Sequence, residues 1–262
     1  MRAILLAGGK GMRLQPYTKV FPKSLIPLDD LPILQIILQQ LRDAGFTSCV
    51  LAVSHKANQI ERYFGDGSWL GIEIEYSYSS IPLGTAGPLR MIDVSDEPCL
   101  VMNSDVLTSL DFADVYASHL DSGAMASVVL CPHEVSIGLG LVEINEKDDS
   151  VTGYTEKPTF SYLVSSGIYV LNPGVIDYIP QGEFIGMPTL FQRLLADNKH
   201  IHSYQFHGEW FDIGTIEQYM KAEEAFQRYR DHFLRSEYAQ QSELDRASKK
   251  MSPLANLVSA NF

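Results

Sequence analysis

The chain has 262 residues, of which 45% are hydrophobic and 20% charged, so it can bury a substantial core as one globular domain. Its formal net charge of −12 argues against a nucleic-acid partner, which would require a basic face. No apolar run approaches the roughly 18 residues of a membrane span, and the first one is too short for a signal peptide, so we expect no membrane partner.

The first half of the chain alternates between apolar runs of strand length and amphipathic stretches. Strands are predicted at Ala3–Ala7, Cys49–Val53, Ile72–Tyr78, Cys99–Met102 and Met125–Cys131. Helices are predicted at Pro32–Ala44, at about Asn58–Phe64, around Leu89 and at Asp111–His119. This alternation predicts crossover connections, and therefore an α/β fold with a mixed, mostly parallel central sheet flanked by helices.

From about residue 138, short strands follow one another with little helix between them. They are predicted at Gly138–Ile144, Val151–Glu156, Gly167–Leu171 and Ile201–Phe206, with a helix at Pro188–Leu195. A long C-terminal amphipathic helix is predicted from Ile216 to about Glu237. We therefore expect a single domain over 1–235 and a polar tail without clear periodicity over 236–262.

The three cysteines are odd in number, form no pairing motif and lie in apolar runs: Cys49, Cys99 and Cys131. This usage is typical of buried thiols in a reducing compartment. We therefore expect free thiols and a cytoplasmic location.

A glycine-rich basic loop follows the first strand. Gly8, Gly9 and Gly11 allow close approach of the backbone to phosphate oxygens, and their amide groups can form an anion-binding concavity. The basic residues around it are Lys10, Arg13, Lys19 and Lys23. The first 40 residues carry five Lys and Arg against two Asp, although the whole chain is acidic. The loop predicts a small anionic ligand; the alternative is a solvated basic turn.

Two familiar phosphate loops do not fit this segment. The dinucleotide fingerprint needs a third glycine that opens a helix, and the Walker loop needs Ser or Thr after Gly-Lys, where this chain has Gly11. Pro16, Pro22 and Pro27 predict a chain that stays non-helical until about Pro32. A loop of this length inside a domain is usually functional or disordered.

Two aspartates are candidate ligands of a divalent cation. Asp105 follows a buried strand at its carboxyl end, where open α/β sheets bind ligands. Asp212 stands between Phe211 and Ile213, and a carboxylate is costly to bury there unless it is paired or metal-bound. Together they would form a two-carboxylate Mg²⁺ site. Taken separately, each could instead cap the helix that follows it.

Two further motifs give weaker evidence of ligand binding. Pro158 ends a strand and leaves Glu156 and Lys157 exposed, where they could contact a sugar hydroxyl and a phosphate; the alternative is a charge pair before a turn. The segment Pro82–Pro88 is punctuated by glycines, and its small residues would leave room for a flat base or a ribose. As an isolated string it is more often a turn.

In this order, the motifs resemble those of the sugar-1-phosphate nucleotidyltransferases (NDP-sugar pyrophosphorylases). The matching blocks are the opening loop with Phe21–Leu25, Asn103–Asp105, Glu156–Pro158, Ser166–Tyr169 and Trp210–Thr215. The resemblance covers about residues 1–230. The segment 82–89 is most similar to mannose-1-phosphate guanylyltransferases and their relatives that act on other sugars.

The resemblance implies a Rossmann-like nucleotidyltransferase fold, with a nucleotide-binding part at 1–135 and a sugar-binding part at 136–215. It implies transfer of a nucleotidyl group from an NTP to a sugar 1-phosphate, which releases pyrophosphate. GTP with a mannose-like or heptose-like sugar 1-phosphate is the predicted pair, with Mg²⁺ as cofactor. A homo-oligomer is a further possibility within the family.

Site residues follow from the resemblance position by position. Arg13 and Lys23 are the implied catalytic residues, and Asp105 and Asp212 the implied metal ligands. The implied nucleotide-binding residues are Leu6, Ala7, Gly8, Gly9, Gly11, Arg13, Gly84, Thr85, Ala86 and Asn103. The implied sugar-phosphate-binding residues are Lys23, Gly140, Glu156, Lys157 and Ser166.

Three departures from the family pattern leave the substrates open. Met12 replaces a common threonine, Ser165-Ser166-Gly167 replaces the commoner Asn-Ala-Gly, and Ser79-Ser80 lacks a nearby glutamine or glutamate. The same chemistry with UTP, dTTP or CTP is therefore an alternative. A cytidylyltransferase that takes a phosphoalcohol and a non-catalytic nucleotide-sugar sensor are two others.

Overall fold

A computed structural model describes residues 1–93 and 97–234. The strands of these segments are β1 (Arg2–Ala7), β2 (Pro27–Leu28), β3 (Leu31–Pro32), β4 (Ser48–Val53), β5 (Glu73–Tyr78), β6 (Cys99–Asn103), β7 (Val106–Thr108), β8 (Ala126–Ser136), β9 (Leu141–Ile144), β10 (Val151–Thr155), β11 (Thr159–Leu171), β12 (Ile201–Gln205) and β13 (Trp210–Asp212). The α-helices are α1 (Tyr17–Val20), α2 (Ile33–Asp43), α3 (Ala57–Phe64), α4 (Phe112–Ser122), α5 (Met187–Ala196), α6 (Ile216–Arg228) and α7 (Arg230–Phe233).

The central sheet has seven strands in the order β12-β8-β11-β6-β1-β4-β5. Every neighbouring pair in it is parallel except the two pairs that involve β11. The sheet is therefore mixed and mostly parallel, which confirms the predicted fold class. The chain passes from β1 to β4 and β5 on one side and returns to β6 on the other. This reversal makes the β1–β6 pair the topological switch point of the sheet.

Alternation along β1 explains why both faces of the sheet are covered. Ala3, Leu5 and Ala7 point into one apolar cluster with α2, whereas Ile4 points into a second cluster with α5. The three cysteines are also buried and free. Burial raises the pKa of the Cys99 thiol to about 12 and that of Cys131 to about 11, so both stay protonated at neutral pH.

Several predicted elements differ from the structure in type or length. The prediction that the opening loop stays non-helical until about Pro32 was wrong, because proline is tolerated at a helix start. The loop contains α1 between Pro16 and Pro22 and the 3₁₀ turns Met12–Leu14 and Lys23–Leu25. The helix predicted around Leu89 is the 3₁₀ helix Gly87–Met91. The three-residue strands β7 and β13 were missed, since they are too short for a periodic pattern.

Strands β8 and β11 extend well beyond the sheet as a two-stranded ribbon. They pair from Ala126↔Leu171 to Ser136↔Thr159. By contrast, β12 pairs only with the start of β8, at 126–130, and β6 only with the end of β11, at 168–171. The hairpin of β9 and β10 connects them, and its residues are largely exposed. The strands predicted at Met125–Cys131 and Gly167–Leu171 were therefore too short, because the solvated ribbon lacks a continuous apolar run. Those predicted at Gly138–Ile144 and Val151–Glu156 were slightly longer than β9 and β10.

The C-terminal helix ends earlier than the pattern predicted. Helix α6 stops at Arg228, because Tyr229 adopts φ −128° and ψ 39°. In α7, Arg230 then forms ion pairs with Asp29 and Asp30, at 3.1 and 2.7 Å. The predicted end at Glu237 and the tail at 236–262 lie outside the described residues. Within the described segments, no helix combines the length and hydropathy needed to cross a bilayer.

Helix α6 provides a test of how strongly the C-terminal part is anchored. Phe226 is fully buried in the core, whereas Met220 on the same helix is 62% exposed. We expect Phe226→Ala to lower the free energy of unfolding by about 3–5 kcal/mol, because it leaves a cavity. Met220→Ala should change it by less than about 0.5 kcal/mol. Urea unfolding of both variants measures the difference, and equal effects would contradict this packing.

Candidate active site

The glycine-rich loop is fixed to the rest of the fold by hydrogen bonds to its carbonyl groups. The Ser54 hydroxyl donates to the Gly8 carbonyl at 2.7 Å, and Thr18 Oγ1 donates to the Gly11 carbonyl at 2.8 Å. Gly11 has φ +60°, and a Cβ placed there would lie 2.7 Å from Thr18 Cγ2 and 3.2 Å from Lys23 Cβ. Glycine is therefore required at Gly11 both by its conformation and by the lack of space.

The switch point of the sheet brings this loop next to the Asn103–Asp105 motif. Leu6 is the register partner of Asn103, and the Ser104 hydroxyl donates to the Leu6 carbonyl at 2.9 Å. Asp105 follows directly, so its carboxylate reaches the side of the loop. Lys23 Nζ forms an ion pair with Asp105 Oδ2. Both side chains are shielded from solvent, with 13% of Lys23 and 23% of Asp105 exposed.

Strand β13 brings the second aspartate to the same place. It pairs antiparallel with β7, so that Asp212 lies opposite Val106. The Ile213 amide donates to the Asp105 carbonyl at 2.9 Å, which ties the two motifs through their backbones. The structure thus brings Asp105 and Asp212 together at one edge of the loop.

The electrostatics of this group are balanced between two carboxylates and two cations. Burial raises the pKa of the Asp212 carboxyl, and the nearby charge of Asp105 raises it further. The positive charges of Lys23 and Arg13 act in the opposite direction. Arg13 also lies close to the turn after β13, since a Cβ on Gly214 would be 3.2 Å from its Nη2 atom.

An open cavity of about 660 Å³ extends from this cluster across the carboxyl ends of β1, β4 and β6. Seven of the predicted site residues line it: Leu6, Gly8, Gly9, Gly84, Thr85, Asn103 and Asp105. Its volume lies within the range of small-molecule sites. Part of its lining had no signal in the motifs, namely Ser54 and His55, which follow β4. Their position after a predicted parallel strand could have identified them.

The Gly84 side of the cavity is fixed by a second docking contact. The Ala86 amide donates to the Ile185 carbonyl at 2.9 Å, and Thr85 Oγ1 accepts from the Met187 amide at 2.8 Å. Ala86 itself is completely buried and does not line the cavity, because its methyl group faces the second apolar cluster. Ala7 is likewise a buried core residue at the end of β1.

The predicted sugar-side residues lie outside the cavity lining. Gly140, Glu156 and Lys157 belong to the connection between β8 and β11, and the side chains of Glu156 and Lys157 are 62% and 68% exposed. Ser166 is buried at a register shift of β11, where the Trp210 indole donates to its carbonyl at 3.0 Å. Its hydroxyl has no hydrogen-bond partner among the described residues. Only Lys23 of this set reaches the aspartate pair.

Comparison with known proteins identifies the family. The family model described as nucleotidyl transferase matches residues 2–228. The chain belongs to the nucleotidyl transferase family. It is 33% identical over 242 residues to a UTP–glucose-1-phosphate uridylyltransferase from Synechocystis, with 85% of this chain and 62% of the relative covered. It is 35% identical over 227 residues to a mannose-1-phosphate guanylyltransferase from Mycobacterium tuberculosis, with 84% and 62% covered.

These relatives are longer than the matched region, since the chain spans about 62% of their length. Among solved structures, HddC from Yersinia pseudotuberculosis is similar with a TM-score of 0.66 and 25% identity. That match covers 86% of this chain and 99% of HddC. The family match over residues 2–228 contains the central sheet, the opening loop and both aspartates.

The docking of the 82–88 loop can be tested with two glycines of similar conformation. Gly84 has φ +75° and Gly123 has φ +61°, so alanine is strained at both. A Cβ at Gly84 would lie 2.4 Å from the Ile185 carbonyl oxygen, whereas nothing lies within 4 Å at Gly123. We expect Gly84→Ala to cost about 1–3 kcal/mol more unfolding free energy than Gly123→Ala. Equal costs in urea unfolding would contradict the close contact.

Proposed function

We propose that this protein transfers a nucleotidyl group from an NTP to a sugar 1-phosphate, giving an NDP-sugar and pyrophosphate. The observation that carries the proposal is the convergence of Lys23, Asp105 and Asp212 beside the glycine-rich loop. The open cavity next to them supplies space for the nucleotide. Membership in the family and the names of both relatives support the same reaction class.

The reaction needs no covalent intermediate, since the sugar phosphate is already ionised and can attack the α-phosphorus in line. Catalysis then consists of positioning and charge neutralisation. The amides of Gly8, Gly9 and Gly11 would hold the phosphate chain, and Arg13 would stabilise the leaving pyrophosphate. Lys23 would neutralise charge on the reacting phosphates, because its ammonium group lies beside Asp105 and only 13% of its side chain is exposed.

The two aspartates fit a Mg²⁺ ion. Their donors are carboxylate oxygens only, as hard cations prefer. Burial and then repulsion from Asp105 raise the pKa of the Asp212 carboxyl, and a bound cation would relieve that repulsion. When bound, Mg²⁺ would neutralise charge on the nucleotide phosphates. The residues that would hold it are Asp105 and Asp212, with Arg13 and Lys23 balancing the pair in its absence.

For the substrates, we propose GTP and a mannose-like or heptose-like sugar 1-phosphate. Several relatives that are 30–35% identical are named as mannose-1-phosphate guanylyltransferases. Since the Synechocystis relative is named for UTP and glucose 1-phosphate, that pair is the alternative. Gly84, Thr85 and Asn103 would contact the nucleoside, and Gly140, Glu156, Lys157 and Ser166 the sugar phosphate. A cytoplasmic location and a homo-oligomer remain predictions.

Pyrophosphate release tests the proposal directly. The purified protein is incubated with Mg²⁺, each of GTP, UTP, dTTP, CTP and ATP, and a panel of sugar 1-phosphates that includes mannose and glucose. We expect turnover with at least one pair and the highest kcat/KM for GTP. Folded protein without turnover on any pair would refute the proposed reaction, whereas a preference for UTP would refute only the choice of base.

Two variants test the assigned roles. We expect Lys23→Ala and Asp212→Ala each to lower kcat by about 100-fold or more, because each removes a preorganised charge from the phosphate site. Lys221→Ala is the control, since Lys221 forms an exposed ion pair with Glu217 on α6. Steady-state kinetics with the best substrate pair provide the measurement. A near-normal rate in either site variant would remove that residue from the mechanism.

A further inference from the structure

The proposed metal ligand Asp105 already has a cation on its carboxylate. Lys23 Nζ is paired with Asp105 Oδ2, and little of either side chain is exposed to solvent. The backbone of Lys23 is held in place, because this residue opens the 3₁₀ turn Lys23–Leu25. Its Cβ also lies next to Gly11, since a Cβ added to Gly11 would be 3.2 Å from it. The ion pair is therefore a built feature of the loop, unlike a surface pair between two mobile side chains.

The charge count around this pair disfavours the binding of a divalent cation on its own. Asp105 and Asp212 contribute two negative charges, and Lys23 and Arg13 contribute two positive charges. The cavity wall adds another positive charge, Lys10. A divalent cation arriving alone would share a carboxylate with the Lys23 ammonium at close range. Like charges at such a distance repel strongly in a partly buried site.

A triphosphate changes this balance. It brings several negative charges to the loop amides, close enough to Lys23 to attract the ammonium away from Asp105. We propose that Lys23 is an internal counter-ion that holds the metal site closed, and that it moves from Asp105 to the phosphates when nucleotide binds. This inference rests on the proposed function, since it assumes that Asp105 and Asp212 bind the metal.

The consequence is a coupling between two binding events. Phosphate binding frees Asp105 for the metal, and metal binding frees Lys23 for phosphate, so each must strengthen the other by the same factor. The binding of a divalent cation without nucleotide should then be weak. Removing the lysine should strengthen it, although the same change weakens catalysis. A lysine that only bound phosphate would leave the affinity for the metal alone unchanged.

The experiment is a titration with Mn²⁺ alone, followed by the electron paramagnetic resonance signal of the free ion. It compares wild type with Lys23→Met and with Lys23→Gln, which keeps an amide donor in case the methionine variant folds poorly. We expect Mn²⁺ affinity about tenfold or more tighter in either folded variant. Adding Asp105→Asn to each should abolish the gain. Lys221→Met is the control, because it frees the carboxylate of Glu217 in the same way outside the site.

The outcomes separate this inference from the proposed function. Unchanged or weaker Mn²⁺ affinity in the folded Lys23 variants would overturn the counter-ion role, even if wild type is active with Mg²⁺. A gain that survives Asp105→Asn, or that appears equally in Lys221→Met, would also overturn it. If the folded wild-type protein released no pyrophosphate with any substrate pair, that result would instead refute the proposed function.

Discussion

The antiparallel pair of β7 and β13 is the contact on which the rest of the site depends. Three residues on each side are enough to place Asp212 opposite Val106, and the Ile213 amide holds the Asp105 carbonyl at 2.9 Å. The two carboxylates belong to segments that are far apart in sequence, and this strand pair is what brings them together. Because the tie is made by the backbone, it uses neither carboxylate, and the Asp105 side chain pairs with Lys23 instead.

Bringing two carboxylates together in a partly buried place is unfavourable unless cations compensate them. The long opening loop supplies that compensation. Its glycines allow the tight path that brings Lys23 and Arg13 back to the aspartates, and Thr18 holds the path at the Gly11 carbonyl. The loop thus contributes both the glycines that line the cavity and the charges that compensate the aspartate pair.

The elements that form the floor of the site could be predicted from the sequence to within a few residues. Strands β1, β4 and β6 are apolar runs buried on both faces, so composition alone identifies them. Strand β5 lies at the edge of the sheet, and only Ile74 of it is buried. Convergence of the aspartates could be proposed from their apolar surroundings and from the resemblance, but the strands that bring them together could not, because β7 and β13 have no periodicity of their own. Burial of Ala86 was not predictable either, since it depends on docking against Ile185, about a hundred residues away.

The nucleotide side and the sugar side of the site differ in how firmly their residues are held before a ligand binds. Gly8 and the Gly84 loop are held by hydrogen bonds to distant segments, so a nucleotide would meet dipoles already oriented at little reorganisation cost. Glu156 and Lys157 lie in an exposed connection, where water weakens every charged contact. Under the proposed reaction, selectivity for the sugar therefore depends on how much of this connection loses water when the sugar phosphate binds.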